Sequence, residues 1–386
     1  MRAKKTATLS SGYEAAVDPP TLAGRADSKL KLSVITSSIA DMKISELFAE
    51  LWALRVFAID FYPRGCDVQG ALKIDHQKLE RKSLLERFSN DEADKFVGNL
   101  AQYVEKQKED AAKIIQDTYG ALISTDIFHI PALATFFPEI SSFNDSDAEK
   151  AGKALVGAIK LATTLKAKVV EFVVGRSVER CHKTPIGYDG TRLRCDYINM
   201  SNPEERIKRV VEVLRDVVVK NAPEVLKPGC VKLAAEIEPG YSFILNSHDN
   251  VNHFVAELAD KRLLDGVGLN LDIGHALILS ELEEGSGRTK ITPETAKTWR
   301  HQIFHAHISD NIGFHYRDLV PGQYHYLVAG NDESDFRKWI ELCAMCSEES
   351  KNFTGYLALE LEACSRIQWI QRSLLRLGYI VREVCK

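Results

Sequence analysis

From residue 31 onward the chain alternates between two textures, and that alternation constrains the fold more than any other feature. Short runs rich in β-branched and aromatic residues occur at "KLSVITSSI" (31–39), "VFAIDFYP" (56–63), "ALISTDIFHI" (121–130) and "KVVEFVVG" (168–175). Four more follow at "VKLAAEIEPG" (231–240), "GVGLNLDIG" (266–274), "IFHAHISD" (303–310) and "GYLALELEA" (355–363). Each has the length and residue types of a buried strand, and most are separated by segments with helical periodicity. Helix starts are marked chemically. Asn202-Pro203-Glu204-Glu205 and Thr292-Pro293-Glu294 each place a capping side chain before a proline and first-turn acids.

Strand–helix alternation joins strands in parallel, and eight parallel strands close most simply into a (β/α)8 TIM barrel. An open dinucleotide-binding sheet would carry GxGxxG after its first strand, and "VITSSIADMKIS" has none. The expectation is one α/β barrel domain over residues 31–386. Residues 1–30, rich in Ser, Ala, Gly and Pro and without an apolar core to their basic start, read as a flexible tail rather than a secretory signal.

Composition removes several function classes. A formal net charge of -4 lacks the basic excess of a dedicated nucleic-acid binder. No apolar stretch approaches the roughly 18 to 20 residues that span a bilayer, so no membrane role is expected. The 8 cysteines are scattered, in the manner of reduced thiols in the cytoplasm. Cys343 and Cys346 form a CxxC, but inside the helical segment "FRKWIELCAMCSEE" with no second pair, so they read as core.

Chemistry concentrates at the ends of strands five to eight, where a barrel carries its active site. Strand five ends "AAEIEPG", with Glu236 and Glu238 in phase; strand six ends in Asp272, with His275 on the turn beyond. Strand seven reads "FHAHISDN", placing His305 and His307 on one face, and strand eight ends with Glu360 and Glu362 in phase. Unpaired buried charge is costly, so four successive strands delivering Glu, Asp, His and Glu to one mouth ask for a divalent cation. The favoured ions are Mn²⁺, Mg²⁺, Co²⁺ or Zn²⁺. Asp272 would be a ligand and His275 would contact substrate or a metal-bound water; His305 would pack deeper or support a ligand.

The order "EIEPG", "LDIGH", "HAHISD", "LALE" resembles the xylose isomerase-like TIM barrel superfamily of sugar isomerases, epimerases, dehydratases and endonuclease IV. That resemblance implies one metal ion, Mn²⁺ before the others, held by Glu236, Asp272, His307 and Glu360, and it favours Glu236 over Glu238 because Pro239 lies three residues after it. It also implies Glu236 and Glu360 as the proton-transferring pair, acting on an enediolate stabilised by the metal, and His275 as a substrate contact. Glu238, His129, His325 and Arg317 are further candidates for substrate binding. Two departures matter. The arginine that sugar 3-epimerases carry six residues past the ligand histidine is Gly313 here, and the extra zinc ligands of the nuclease are incomplete, with Gln323 before His325 where an aspartate would stand.

The expected function is therefore metal-dependent isomerisation or epimerisation of a sugar or polyol-derived small molecule. The alternative is a metal-dependent lyase or dehydratase on the same barrel, with a nuclease or a non-catalytic binding barrel behind it. A homo-oligomer is consistent with the family, and substrate identity should lie in loops 62–75, 176–201 and 311–330.

Overall fold

Eight parallel strands run side by side and meet at their ends. In a computed structural model the described residues are 30–38, 51, 56–62, 129–175, 187–188, 193–194, 202–238, 243–282, 289–309, 333–361 and 367–385. The strands are β1 (Lys31–Ile35), β2 (Ile59–Asp60), β3 (Ala132–Thr135), β4 (Val169–Val173), β5 (Lys232–Glu236), β6 (Val267–Asp272), β7 (Ile303–Ile308) and β8 (Tyr356–Leu359). Hydrogen bonding follows the order β2-β1-β8-β7-β6-β5-β4-β3. Parallel bridges Ala58↔His129 and Phe61↔Leu133 then bring β2 against β3, so the sheet is a nearly closed barrel.

Around it lie α1 (Asp145–Thr164), α2 (Pro203–Val213), α3 (His248–Asp260), α4 (Ile273–Leu282), α5 (Glu333–Glu349) and α6 (Ile367–Val384). Their starts follow the capping chemistry in the sequence. Asn202 accepts from Glu204 N at 3.1 Å, Pro203 occupies the first turn, and Thr292 forms a reciprocal capping box with Thr295 over the one-turn helix Pro293–Ala296. Cys343 and Cys346 are fully buried in α5, as core residues. No helix among the described residues is long and apolar enough to cross a membrane.

The two faces of the barrel wall differ sharply. Outward residues such as Leu32, Val170, Leu233, Leu269, Ala306 and Leu357 join the helices in one continuous apolar cluster. Each such valine or leucine side chain contributes about 1.5–3 kcal/mol by leaving water. The inward apolar group is small: Ala132, Val169, Ala234 and Phe304 form the floor. Above that floor the interior is polar, and there the side chains of the candidate site collect.

The third strand corrects one expectation. It is Ala132–Thr135, not the run at 121–130, of which residues 121–128 lie outside the described residues. Pro131 and two alanines make "PALAT" a poor strand by propensity. The barrel nevertheless favours small side chains there, since Ala132 must share the floor with the Phe304 ring.

The seventh strand contains a bulge. Leu269 pairs with Ile303 and Asn270 with His305, so Phe304 is the extra residue opposite β6. Simple alternation would turn Phe304 away from the face used by His305 and His307. The bulge instead lets Phe304 fill the floor while both histidines project above it. Gly268 makes room, because a Cβ there would lie 2.8 Å from the Phe304 ring.

Candidate metal centre

The upper interior of the barrel holds five buried carboxyl groups, Asp60, Glu171, Glu236, Asp272 and Glu360, and three buried imidazoles, His275, His305 and His307. They come from β2 and β4 to β8 or the residues just beyond, with Asp60, Glu236, Asp272 and Glu360 at the C-terminal strand ends, where this fold assembles active sites. Carboxyls outnumber imidazoles, and apolar walls surround them on the helix side, so their mutual repulsion is poorly screened.

Asp272 ends β6 and does two jobs. One oxygen, Oδ1, accepts from His275 N at 2.8 Å, in the manner of an N-cap for α4. The other, Oδ2, faces inward and lies 3.5 Å from His275 Nδ1. Gly274, between them in sequence, is required by close approach: a Cβ would stand 2.0 Å from Ser309 Oγ at the end of β7. His275 Nδ1 lies 3.0 Å from Ile237 O, and since a carbonyl only accepts, Nδ1 carries the proton. In the neutral ring Nε2 is then the acceptor nitrogen. Glu238, partly buried beyond β5, reaches within 3.8 Å of the same Nδ1.

His307 occupies the centre. Its Nδ1 lies 2.9 Å from Glu360 Oε2 and 3.7 Å from Glu236 Oε1, while Nε2 lies 3.0 Å from Glu171 Oε2 and 3.5 Å from Asp60 Oδ2. Burial alone would depress its basicity, but the charges of Glu171 and Glu360, with the Asp60 and Glu171 carboxylates as acceptors against the ring, hold it well above the usual imidazole range. Burial, then the charges of Glu171, Glu238 and Glu360, push the Glu236 carboxyl well above the usual carboxylate range, with His307 opposing them. A carboxyl in that position stays charged only if positive charge comes to it.

Glu236, Asp272, His307 and Glu360 each offer one ligand atom, and these atoms all lie within 4.8 Å of one another. Three carboxylates and an imidazole at this separation, with a surplus of negative charge, fit a hard or borderline divalent cation. The structure thus brings together the four residues expected as ligands, with His275 and Glu238 beside them.

Other expectations fare differently. His129 is exposed and precedes β3, at the opposite end of the barrel from the cluster, so it does not join the site. Arg317, His325 and Glu362 lie outside the described residues, as do most of loops 62–75, 176–201 and 311–330.

Two acids of the centre went unrecognised in the sequence. Asp60 is held by Ser33 Oγ at 3.0 Å and by His305 Nε2 at 2.5 Å, and His305 Nδ1 is 2.7 Å from Thr354 Oγ1. Burial would raise the Asp60 carboxyl, but the charge and hydrogen bond of His305, then the hydrogen bond and charge of His307, hold it down at about 2. Glu171 is the second. Each is a lone acid inside an apolar strand run, "VFAIDFYP" and "KVVEFVVG", and that oddity is the signal that could have found them.

A family model described as xylose isomerase-like TIM barrel matches residues 94–374, more than half of the chain. The chain belongs to the xylose isomerase-like TIM barrel family. Among solved structures it is similar to IOLI protein with a bound zinc atom, at 15% identity and a TM-score of 0.52, covering 92% of this chain and 96% of that one. It is similar to a D-tagatose 3-epimerase-like protein at 15% identity and a TM-score of 0.52, covering 92% and 98%. A probable 3-DHS dehydratase, AsbF, of Bacillus anthracis aligns at 11% identity with a TM-score of 0.53, covering 92% and 99%. No curated protein sequence matches significantly. At these identities the shared property is the barrel, and the family members around it include epimerases, isomerases and a dehydratase.

Proposed function

We propose that this barrel is a divalent-metal-dependent isomerase or epimerase acting on a sugar or polyol-derived ketone, with Mn²⁺ as the preferred ion. The observation that carries the reading is the buried set Glu236, Asp272, His307 and Glu360, whose ligand atoms lie within 4.8 Å of one another at the C-terminal mouth. When bound, such a cation polarises a carbonyl and offsets the negative charge of the enediolate that forms as a proton leaves the neighbouring carbon.

The remaining work falls to side chains. Glu236 and Glu360, from β5 and β8, take the proton from one carbon and return it to another position or face, one as base and the other as acid. His275, with Nδ1 committed to Ile237 O, turns Nε2 towards a substrate hydroxyl. Glu238, beside it, contacts a second hydroxyl, and Arg317 and His325, which follow β7 in the sequence, are further candidates for substrate contact. The apolar floor beneath keeps water from one side of the reaction. The scattered cysteines support a cytoplasmic protein, and the modest net charge supports a small-molecule substrate rather than nucleic acid.

The test is a screen of ketoses and keto-polyols with the Mn²⁺-loaded protein in deuterated water. Deuterium incorporated into a product of unchanged skeleton supports the reading, and Glu360→Gln should abolish it. Release of water without a same-composition product would assign a dehydratase instead, and wild-type turnover by Glu360→Gln would remove Glu360 from the proton-transferring pair.

A further inference from the structure

His307 has a carboxylate against each ring nitrogen: Glu360 Oε2 lies 2.9 Å from Nδ1 and Glu171 Oε2 lies 3.0 Å from Nε2. An imidazole offers a lone pair to a cation through only one nitrogen while the other keeps its proton. Glu360 belongs to the four-residue ligand set, whereas Glu171 stands on β4, outside it.

We propose that Glu171 is a positioning residue for the metal centre: its carboxylate accepts the Nε2 proton of His307 and thereby commits Nδ1, facing Glu236 and Glu360, to the cation. The inference rests on the metal-centre reading above. It is supported by the environment of both atoms. Both atoms are buried and, among the described residues, neither is satisfied by a hydrogen bond, so each is left to the other across 3.0 Å. Asp60 also approaches Nε2, at 3.5 Å, but its Oδ2 is taken by His305 at 2.5 Å and its Oδ1 by Ser33 at 3.0 Å. Asp60 and His305 thus form a wall behind the ring, and Glu171 is the acceptor left to fix its tautomer.

The placement is also costly enough to need a reason. The neighbouring inward positions are Ala132, Val169 and Ala234, which pack without charge, while Glu171 adds a buried negative charge beside Glu236. Packing does not ask for an acid there. A carboxylate behind a ligand histidine orients the ring and makes the ligating nitrogen a better donor.

The experiment is calorimetric titration of the metal-stripped protein with MnCl₂ and CoCl₂, comparing wild type, Glu171→Ala, Glu171→Gln and Glu360→Gln. Wild type should bind one ion. Glu171→Ala should keep that stoichiometry with affinity about 10- to 100-fold weaker. Glu171→Gln, whose Oε1 still accepts from Nε2–H, should recover most of the loss, and the Co²⁺ absorption spectrum should change with Ala and return with Gln. Equal affinity of wild type and Glu171→Ala overturns the positioning role while the metal centre stands. A Gln variant as weak as Ala overturns it too, because charge rather than the hydrogen bond would be responsible. No ion bound by wild type overturns the metal centre itself. Should Glu171→Ala fail to fold, ¹⁵N NMR of the Zn²⁺-loaded wild type decides: a His307 proton on Nε2 supports the inference, and a proton on Nδ1 refutes it.

Discussion

Gly268→Ala probes the packing on which the two histidines of β7 stand. A Cβ at Gly268 would lie 2.8 Å from both Cδ atoms of Phe304 and 2.3 Å from Gln302 O. The ring could shift by a few tenths of an ångström, but Gln302 O accepts from Leu269 N at 2.7 Å and is pinned by that bond. Overpacking of this kind costs about 1–3 kcal/mol, and the backbone clash places this case towards about 3. For 386 residues the unfolding entropy is about 0.8 kcal/mol/K, so the melting temperature should fall by roughly 2–4 °C. A double-mutant cycle with Phe304→Leu separates the two clashes: a smaller side chain relieves the ring contact alone, giving a coupling of about 0.5–1.5 kcal/mol and incomplete rescue. Because His305 and His307 follow Phe304 on the same strand, metal affinity should fall with stability. Urea unfolding of the four proteins, with metal titration of each, measures both. A Gly268→Ala protein within about 0.5 kcal/mol of wild type would refute the bulge-and-floor geometry.

Further perturbations test other parts of the molecule. Asp272→Asn should lower bound Mn²⁺ well below one ion per chain by elemental analysis; unchanged stoichiometry would remove Asp272 from the ligand set. Asp60→Ala should destabilise by about 3–5 kcal/mol, since it leaves His305 buried without its carboxylate. The carboxyl is depressed from 3.8 to about 2 in the folded protein, so its contribution is complete above the unfolded value and is lost only as pH falls towards about 2. The cost measured by urea unfolding should therefore shrink as pH falls from about 4 towards 2. Burial pushes the Cys346 thiol up to about 12 and Cys343 well above its usual value, so neither should react with a thiol reagent in the native state, and rapid labelling of either would contradict the core assignment. Asn202→Ala should cost about 1 kcal/mol through loss of the cap on α2, read as a lower urea midpoint.

The barrel was legible in the sequence because it rests on local, periodic signals, and the same signals put the candidate ligands at strand ends. Strand runs repeat with helices between them, and in-phase acids at strand ends announce a charge problem that packing does not solve. Periodicity works where one face of a strand has one character, and it fails where tertiary space overrides it. Strand three was misplaced because its residues were selected for the small volume beside Phe304, which no window of sequence contains. The bulge at Phe304 was invisible for a related reason: it is a mismatch between two strands, defined only when β6 and β7 are paired. Asp60 and Glu171 were passed over because a lone acid in an apolar run is ambiguous until the barrel closes. Asp60 and His305 are 245 residues apart in the chain and 2.5 Å apart in space. The sequence by itself determined the strand–helix alternation and the in-phase acids and imidazoles at the ends of the last four strands. Only closure decided which carboxylate faces which nitrogen of His307, because that depends on distances across the barrel rather than along any strand.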